Sequence, residues 1–320
     1  MATAVSQPNA AIPAKRRFSG DDVAYGFVLL FALAIIGITI LLVYELWIHS
    51  SPAKDKFGLS FLFSKLWNPV TDQFGALPFL YGTLITSVLA LLIAVPMGVG
   101  AAIYLSELAQ PKVSNALTFL VELLAAVPSV IFGLLAIFTL VPLMREYVDP
   151  ALQSAFGFLP LFEGHIYGLG YLTAGVILAV MTFPYIISVS REALMAVPRE
   201  QREAALALGA TKWEATADAV LPFARLGIFG SVFLALARAL GETMAVTMVI
   251  GNSPTIHASL FAPGYSIAAV IANEFTEAVG NTHLSALVEL GLVLFGMTIV
   301  INGLAQLLIV LTTRKGSAKA

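Results

Sequence analysis

Residues 79–106 and 171–190 contain no charged side chain, and each run is long enough to cross a bilayer as one helix. A hydrocarbon core of about 30 Å needs roughly 20 helical residues, each rising about 1.5 Å. Four more apolar stretches of such length lie at 23–48, 117–144, 220–250 and 285–313. Lipid cannot hydrogen-bond a bare backbone, so a crossing segment must be a helix or a strand of a closed barrel. The alternating strands and frequent turns of a barrel are absent. The sequence therefore predicts an all-α, polytopic membrane bundle of six transmembrane helices. Pro96, Pro128 and Pro184 fall inside these spans, where each removes a backbone donor and is expected to kink its helix. Packing geometry is the simpler reading of these prolines, gating the other.

Composition closes off other classes. Charged residues make up 11% of the chain, against roughly a quarter in a soluble domain, which excludes an ordinary soluble enzyme. A net charge of −2, from 17 basic and 19 acidic residues, offers no basic stripe for nucleic acid. The absence of cysteine excludes disulfides, thiolate metal sites and cysteine nucleophiles. Four scattered histidines lack metal-site spacing. None of the eight lysines follows a glycine, so the phosphate-cradling loop of an ATPase is missing. No cofactor bound by this chain is expected.

Cations set the orientation. Lys15, Arg16, Arg17, Lys112, Arg191, Arg199, Arg202, Lys212, Arg225, Arg314, Lys315 and Lys319 fall on one side, and Lys54, Lys56, Lys65 and Arg145 on the other. Twelve against four predicts that both termini are cytoplasmic. The expected layout is a cytoplasmic tail at 1–22, an uncleaved transmembrane domain at 23–313 and a cytoplasmic tail at 314–320. The outer segments, roughly 49–78, 145–170 and 251–284, are rich in Gly, Pro and aromatics and are read as partly interfacial. Glu274 and Glu277 are placed on the solvated face of an amphipathic outer helix. Glu122 is expected to pair structurally, with Arg225 as the candidate. Glu45 and Glu289 are assigned no role.

Between the fourth and fifth spans lies a charged loop, 191–222, with the signals of a short helix pair. Pro198 suits a first turn, Gly209 suits a left-handed helix stop, and Thr211 with Glu214 forms a capping box. Within it run Glu203-Ala204-Ala205, three residues, Gly209, nine residues, then Ala219-Val220-Leu221-Pro222. This resembles the EAA loop of ABC-transporter permeases, whose pattern is Glu-Ala-Ala, a Gly four residues on, and Ile-x-Leu-Pro. Ala219 stands where the family has Ile. Ala204, Ala205 and Leu208 make a compact apolar face that lets a partner's backbone approach closely. The resemblance implies that this partner is a separate ATP-binding subunit, and that Glu203, Ala204, Ala205, Leu208 and Gly209 couple to it.

The fifth span carries Arg238 and Glu242 near its middle, where a charge costs at least about 2.5 to 3.5 kcal/mol on insertion scales. Read as one helix, Gly227, Ser231, Arg238, Glu242 and Ala245 form a small, polar stripe opposite Phe229, Phe233, Leu236 and Leu240. Arg238 and Glu242, four residues apart, are either a buried structural ion pair or part of an anion path. An arginine offers five fixed donors to oxyanion oxygens, and the glutamate would steady it while keeping binding weak enough for release.

The run Arg238-Ala239-Leu240-Gly241-Glu242-Thr243-Met244-Ala245-Val246 resembles the fifth-span motif of the phosphate-specific ABC permeases, closer to their C-type than to their A-type subunit. The resemblance implies a type I ABC importer permease fold in a bacterial inner membrane. It implies a second, PstA-like permease, two PstB-like ATPases carrying ATP and Mg, and an extracytoplasmic PstS-like phosphate-binding protein. Arg238, Glu242 and Ser231 would then line the translocation path. The alternatives are a permease for sulfate or molybdate, or a passive anion channel or secondary carrier, which would need no EAA loop.

Overall fold

The computed structural model describes residues 20–317, with side chains from 24 to 307 and at 309. Of the tail expected at 1–22 only 20–22 are described, as helix; of that expected at 314–320 the backbone is described through 317, where it continues the last helix rather than forming a tail, and no side chain of either is described. Two units are present, 1–45 and 46–320. The first contributes most of α1 (Gly20–His49), which is apolar on every side, as suits a helix surrounded by hydrocarbon.

The second unit is an all-helical bundle. Its elements are α2 (Ser51–Phe57), α3 (Leu77–Leu108), α4 (Pro111–Ala125), α5 (Ser129–Phe156), α6 (Tyr171–Met195), α7 (Arg199–Ala207), α8 (Lys212–Gly241), α9 (Met244–Val249), α10 (Ile267–Glu274) and α11 (Asn281–Ser317). With α1, six helices among the described residues are long and apolar enough to cross a membrane: α1, α3, α5, α6, α8 and α11.

The pair α3 and α6 packs more extensively than any other and forms the spine. Small residues make this possible, because in lipid the gain comes from close van der Waals fit rather than from excluding water. Ala90, Ala94 and Ala102 on α3 and Ala174 and Ala179 on α6 are buried. A Cβ added at Gly98 would lie 2.7 Å from Ile186 Cγ2, and one at Gly175 the same distance from Leu89 Cβ. On α8, Gly227 abuts Ala193 of α6, and the fully buried Ser231 bonds Ser190 across the same interface at 2.7 Å.

Two boundaries differ from expectation. The third span is Ser129–Phe156 rather than 117–144. Pro128 takes an extended conformation and ends the helical run, because a proline disfavours helix at the residue before it. What precedes it is α4, a separate amphipathic helix. Glu122 on that helix is exposed and makes no pair with Arg225 among the described residues, which corrects the structural pairing expected for it. The fifth helix stops at Gly241 rather than continuing to 250. Pro96 and Pro184, by contrast, sit within continuous helices. Wide π-helical turns at Ala136–Leu140, Met144–Val148 and Thr216–Val220 each precede a proline by two residues, at Pro142, Pro150 and Pro222. A proline ring collides with the carbonyl four residues back, and widening the turn before it relieves the collision.

At the end of the bundle where α3, α6 and α11 begin, an aromatic core joins Phe61, Phe74, Phe79 and Tyr265. Glu274 reaches into it. Its Oε2 accepts from Trp67 Nε1 at 2.9 Å and pairs with His283 Nε2 at 3.1 Å, while Phe74 stacks on the His283 ring. Glu274 is thus a half-buried organiser rather than part of a fully solvated face; Glu277 is exposed, as expected.

Candidate functional site

At the opposite end, α6 gives way to the loop 191–222. Pro198 is the residue before α7, holding an extended conformation from which the helix starts. Gly209 ends the turn after α7 with φ +91°, the left-handed region where a side chain is strained. Ala210 N–H bonds back to Ala205 O at 3.2 Å. Thr211 and Glu214 form the expected capping box, with Thr211 N–H donating to Glu214 Oε2 at 2.7 Å and Glu214 N–H to Thr211 Oγ1 at 3.3 Å. The outer face of this helix is bare: Glu203 and Ala204 are exposed, Ala205 is half-buried, and Leu208 is 90% exposed.

The residue beside Glu203 points the other way. Arg202 Nε and Nη2 grip both carboxylate oxygens of Glu107 at 3.0 and 2.8 Å. Nη1 donates to Val197 O at 2.6 Å, and Nη2 also to Leu194 O at 2.7 Å. The bond to Glu107 holds the guanidinium's proton more tightly than usual, against the opposing effect of burial. Neither Glu107 nor Arg202 stood out as a site residue in the sequence.

Arg238 sits in the last turn of α8, half-buried. Its Cζ lies 4.5 Å from the ring centroid of Tyr185 on α6, and Tyr185 in turn donates its hydroxyl to Ala125 O at 3.2 Å. Nε is buried without a partner. Arg238 makes no hydrogen bond or ion pair among the described residues. Tyr185, which supports it, carried no signal in the sequence beyond being an aromatic next to Pro184.

Glu242 departs from the expected helical register. It follows the end of α8 with an extended backbone, φ −69° and ψ 126°, and its Oε1 accepts from Ala245 N–H at 3.4 Å. An i,i+4 pairing requires continuous helix; with the helix broken at Gly241, Glu242 turns toward the start of α9 and makes no ion pair with Arg238. Ser231, the third residue expected on this stripe, is 0% exposed between α8 and α6. Arg238 and Glu242 therefore share a break between helices, and Ser231 belongs to the packing beneath it.

Residues 94–311 match the model of the family described as binding-protein-dependent transport system inner membrane component. Among curated relatives, the phosphate transport system permease protein PstC of Mesorhizobium japonicum is 49% identical over 82% of this chain and 81% of its own. Its namesake in Xylella fastidiosa is 44% identical over 91% and 92%, and that in Haemophilus influenzae 45% identical over 88% and 90%. Among solved structures, a bacterial ABC transporter involved in the import of the acidic polysaccharide alginate aligns with a TM-score of 0.53 at 18% identity, covering 89% of this chain and 97% of that one; this likeness speaks for the fold alone. With its six spans, small-residue spine and projecting helix between α6 and α8, this chain belongs to the binding-protein-dependent transport system inner membrane components, on the branch of the PstC permeases.

Proposed function

We propose that this chain is the permease subunit of an ATP-driven importer for inorganic phosphate and forms half of the translocation pathway. The names of its relatives support phosphate as the substrate. The observation that carries the reading in the structure is Arg238: a guanidinium near a helix break in the membrane, held by the Tyr185 ring, with its N–H donors free. A cation kept at that depth solely for packing would be expected to have its donors bonded. An oxyanion supplies matching acceptors. Glu242, at the same break and not paired with the arginine, opposes an anion that lingers and favours release.

The chain lacks an ATPase loop, so the work comes from elsewhere. One of two PstB-like subunits carrying ATP and Mg would dock on the bare face formed by Glu203, Ala204, Ala205, Leu208 and Gly209, and both termini would then lie in the cytoplasm. A PstA-like permease would supply the other wall of the path, and a PstS-like binding protein would deliver phosphate to the aromatic end. Uptake of labelled phosphate by the reconstituted complex tests this reading. It should require ATP, resist competition by sulfate and molybdate, and vanish on Arg238→Glu. Unchanged uptake in that variant, or uptake without nucleotide, would dispose of it.

A further inference from the structure

We propose that Arg202 is a positioning residue that ties the short helix α7 to α3 and α6, so that the three move as one body when a partner displaces α7. The inference rests on the reading above, in which α7 receives its motion from an ATP-binding subunit.

The geometry is that of a joint. One planar group binds two helices besides its own. Through Glu107 it holds the π-helical turn that closes α3, and through Leu194 O and Val197 O it holds the end of α6. Leu194 is in the last turn of α6 and Val197 two residues beyond its end, so the guanidinium adds a bond to a carbonyl of that last turn and another to the chain leaving it. The carboxylate and the guanidinium side chains are 10% and 22% exposed. A partly buried ion pair resists distortion only when its remaining donors are also satisfied, and here the carbonyls satisfy them. A lysine, a single point charge on a flexible stem, cannot bridge the same set.

The chain itself connects α7 to α6 directly but runs 95 residues between Glu107 and Arg202. The link from α7 to α3 runs through this side-chain pair, through the packing of α3 on α6, and through the first turns of α8, on which α7 rests and which belong to a helix that packs in turn on α3. Glu203, next in sequence, faces outward toward the docking surface. Adjacent residues thus serve the two sides of one lever.

The test uses the reconstituted complex with Glu107→Gln, Arg202→Lys and the conservative Glu107→Asp. The first two should copurify with the ATP-binding subunit and hydrolyse ATP, yet deliver about tenfold less phosphate per ATP, the size expected for losing a charge-assisted bond. Glu107→Asp should recover most of the ratio. A second measurement does not depend on the substrate. Because the chain has no cysteine, spin labels at Gln201→Cys on α7 and Leu108→Cys on α3, in a complex whose other subunits are first cleared of cysteine, report their separation alone. It should stay fixed on adding ATP in the otherwise native complex and change in Glu107→Gln. An unaltered phosphate-to-ATP ratio in Glu107→Gln, a separation equally fixed in that variant, or loss of the ATP-binding subunit from it would each overturn the joint. A native complex that hydrolyses ATP without moving phosphate would instead overturn the functional reading, and the label separations would still decide the joint.

Discussion

Two arginines in this protein are held in opposite ways. Arg202 has its fork bonded to a carboxylate and two helix-end carbonyls, whereas Arg238 has only an aromatic ring beneath it. A ring fixes the plane of a guanidinium without occupying its N–H groups, which leaves them for a ligand. Such a contact is worth about 0.5 to 2 kcal/mol depending on desolvation. Replacing Tyr185 by Leu removes the contact but keeps bulk, and should raise the phosphate concentration for half-maximal uptake by about three- to tenfold. Tyr185→Phe keeps the ring and loses only the bond to Ala125 O, so uptake should stay within about twofold of native. Concentration dependence of labelled phosphate uptake in the assembled complex checks both. Equal losses in the two variants would mean that the hydroxyl, not the ring, positions Arg238.

The element proposed to receive the ATP-binding subunit depends on one backbone angle. A Cβ at Gly209 would meet nothing within 4 Å, so space does not demand glycine there; φ +91° does. Gly209→Val should cost about 1 to 2 kcal/mol of local order, enough to loosen the turn between α7 and α8. Gly209→Asn, which tolerates positive φ, should cost less. Retention of the ATP-binding subunit during purification measures the difference, with Asn expected to hold it and Val to lose much of it. Equal retention would mean that the turn is not what aligns the docking face. This element was legible in the sequence because its signals are local: Gly209, the Thr211 and Glu214 box and Pro222 each act on neighbours a few residues away. The same was true of the six spans, since crossing length is counted along the chain. What stayed hidden was non-local or masked by apolar continuity. Glu107 meets Arg202 across 95 residues and Trp67 meets Glu274 across 207, and no spacing rule reaches that far. The apolar run through 243–250 concealed the break after Gly241, which is why Glu242 was placed on one helical face with Arg238, where a pair was one of two readings. The apolar face of α4 ran into α5 and blurred the third span.

At the scale of the molecule, the two ends are built differently around one spine. One end is closed by an aromatic core pinned by Glu274 and His283; the other carries a bare projecting helix. Between them α3 and α6 fit backbone to backbone, while large apolar side chains such as Phe119 on α4, Phe138 on α5 and Phe223 on α8 remain 64%, 76% and 55% exposed. Arg238 and Glu242 are only half-covered. A desolvated path for a charged ion needs a wall on every side, and a single bundle with its arginine partly at its own surface supplies part of one. The chain alone, reconstituted into vesicles, should therefore pass no labelled phosphate above the lipid background, with or without ATP. Adding the second permease alone should complete the wall without powering it, so net accumulation against a gradient should appear only when the ATP-binding subunits and the binding protein are present as well. Steady phosphate flux through vesicles holding this chain by itself would show that its own helices enclose a path, and would place Arg238 inside a channel rather than on half of a shared wall.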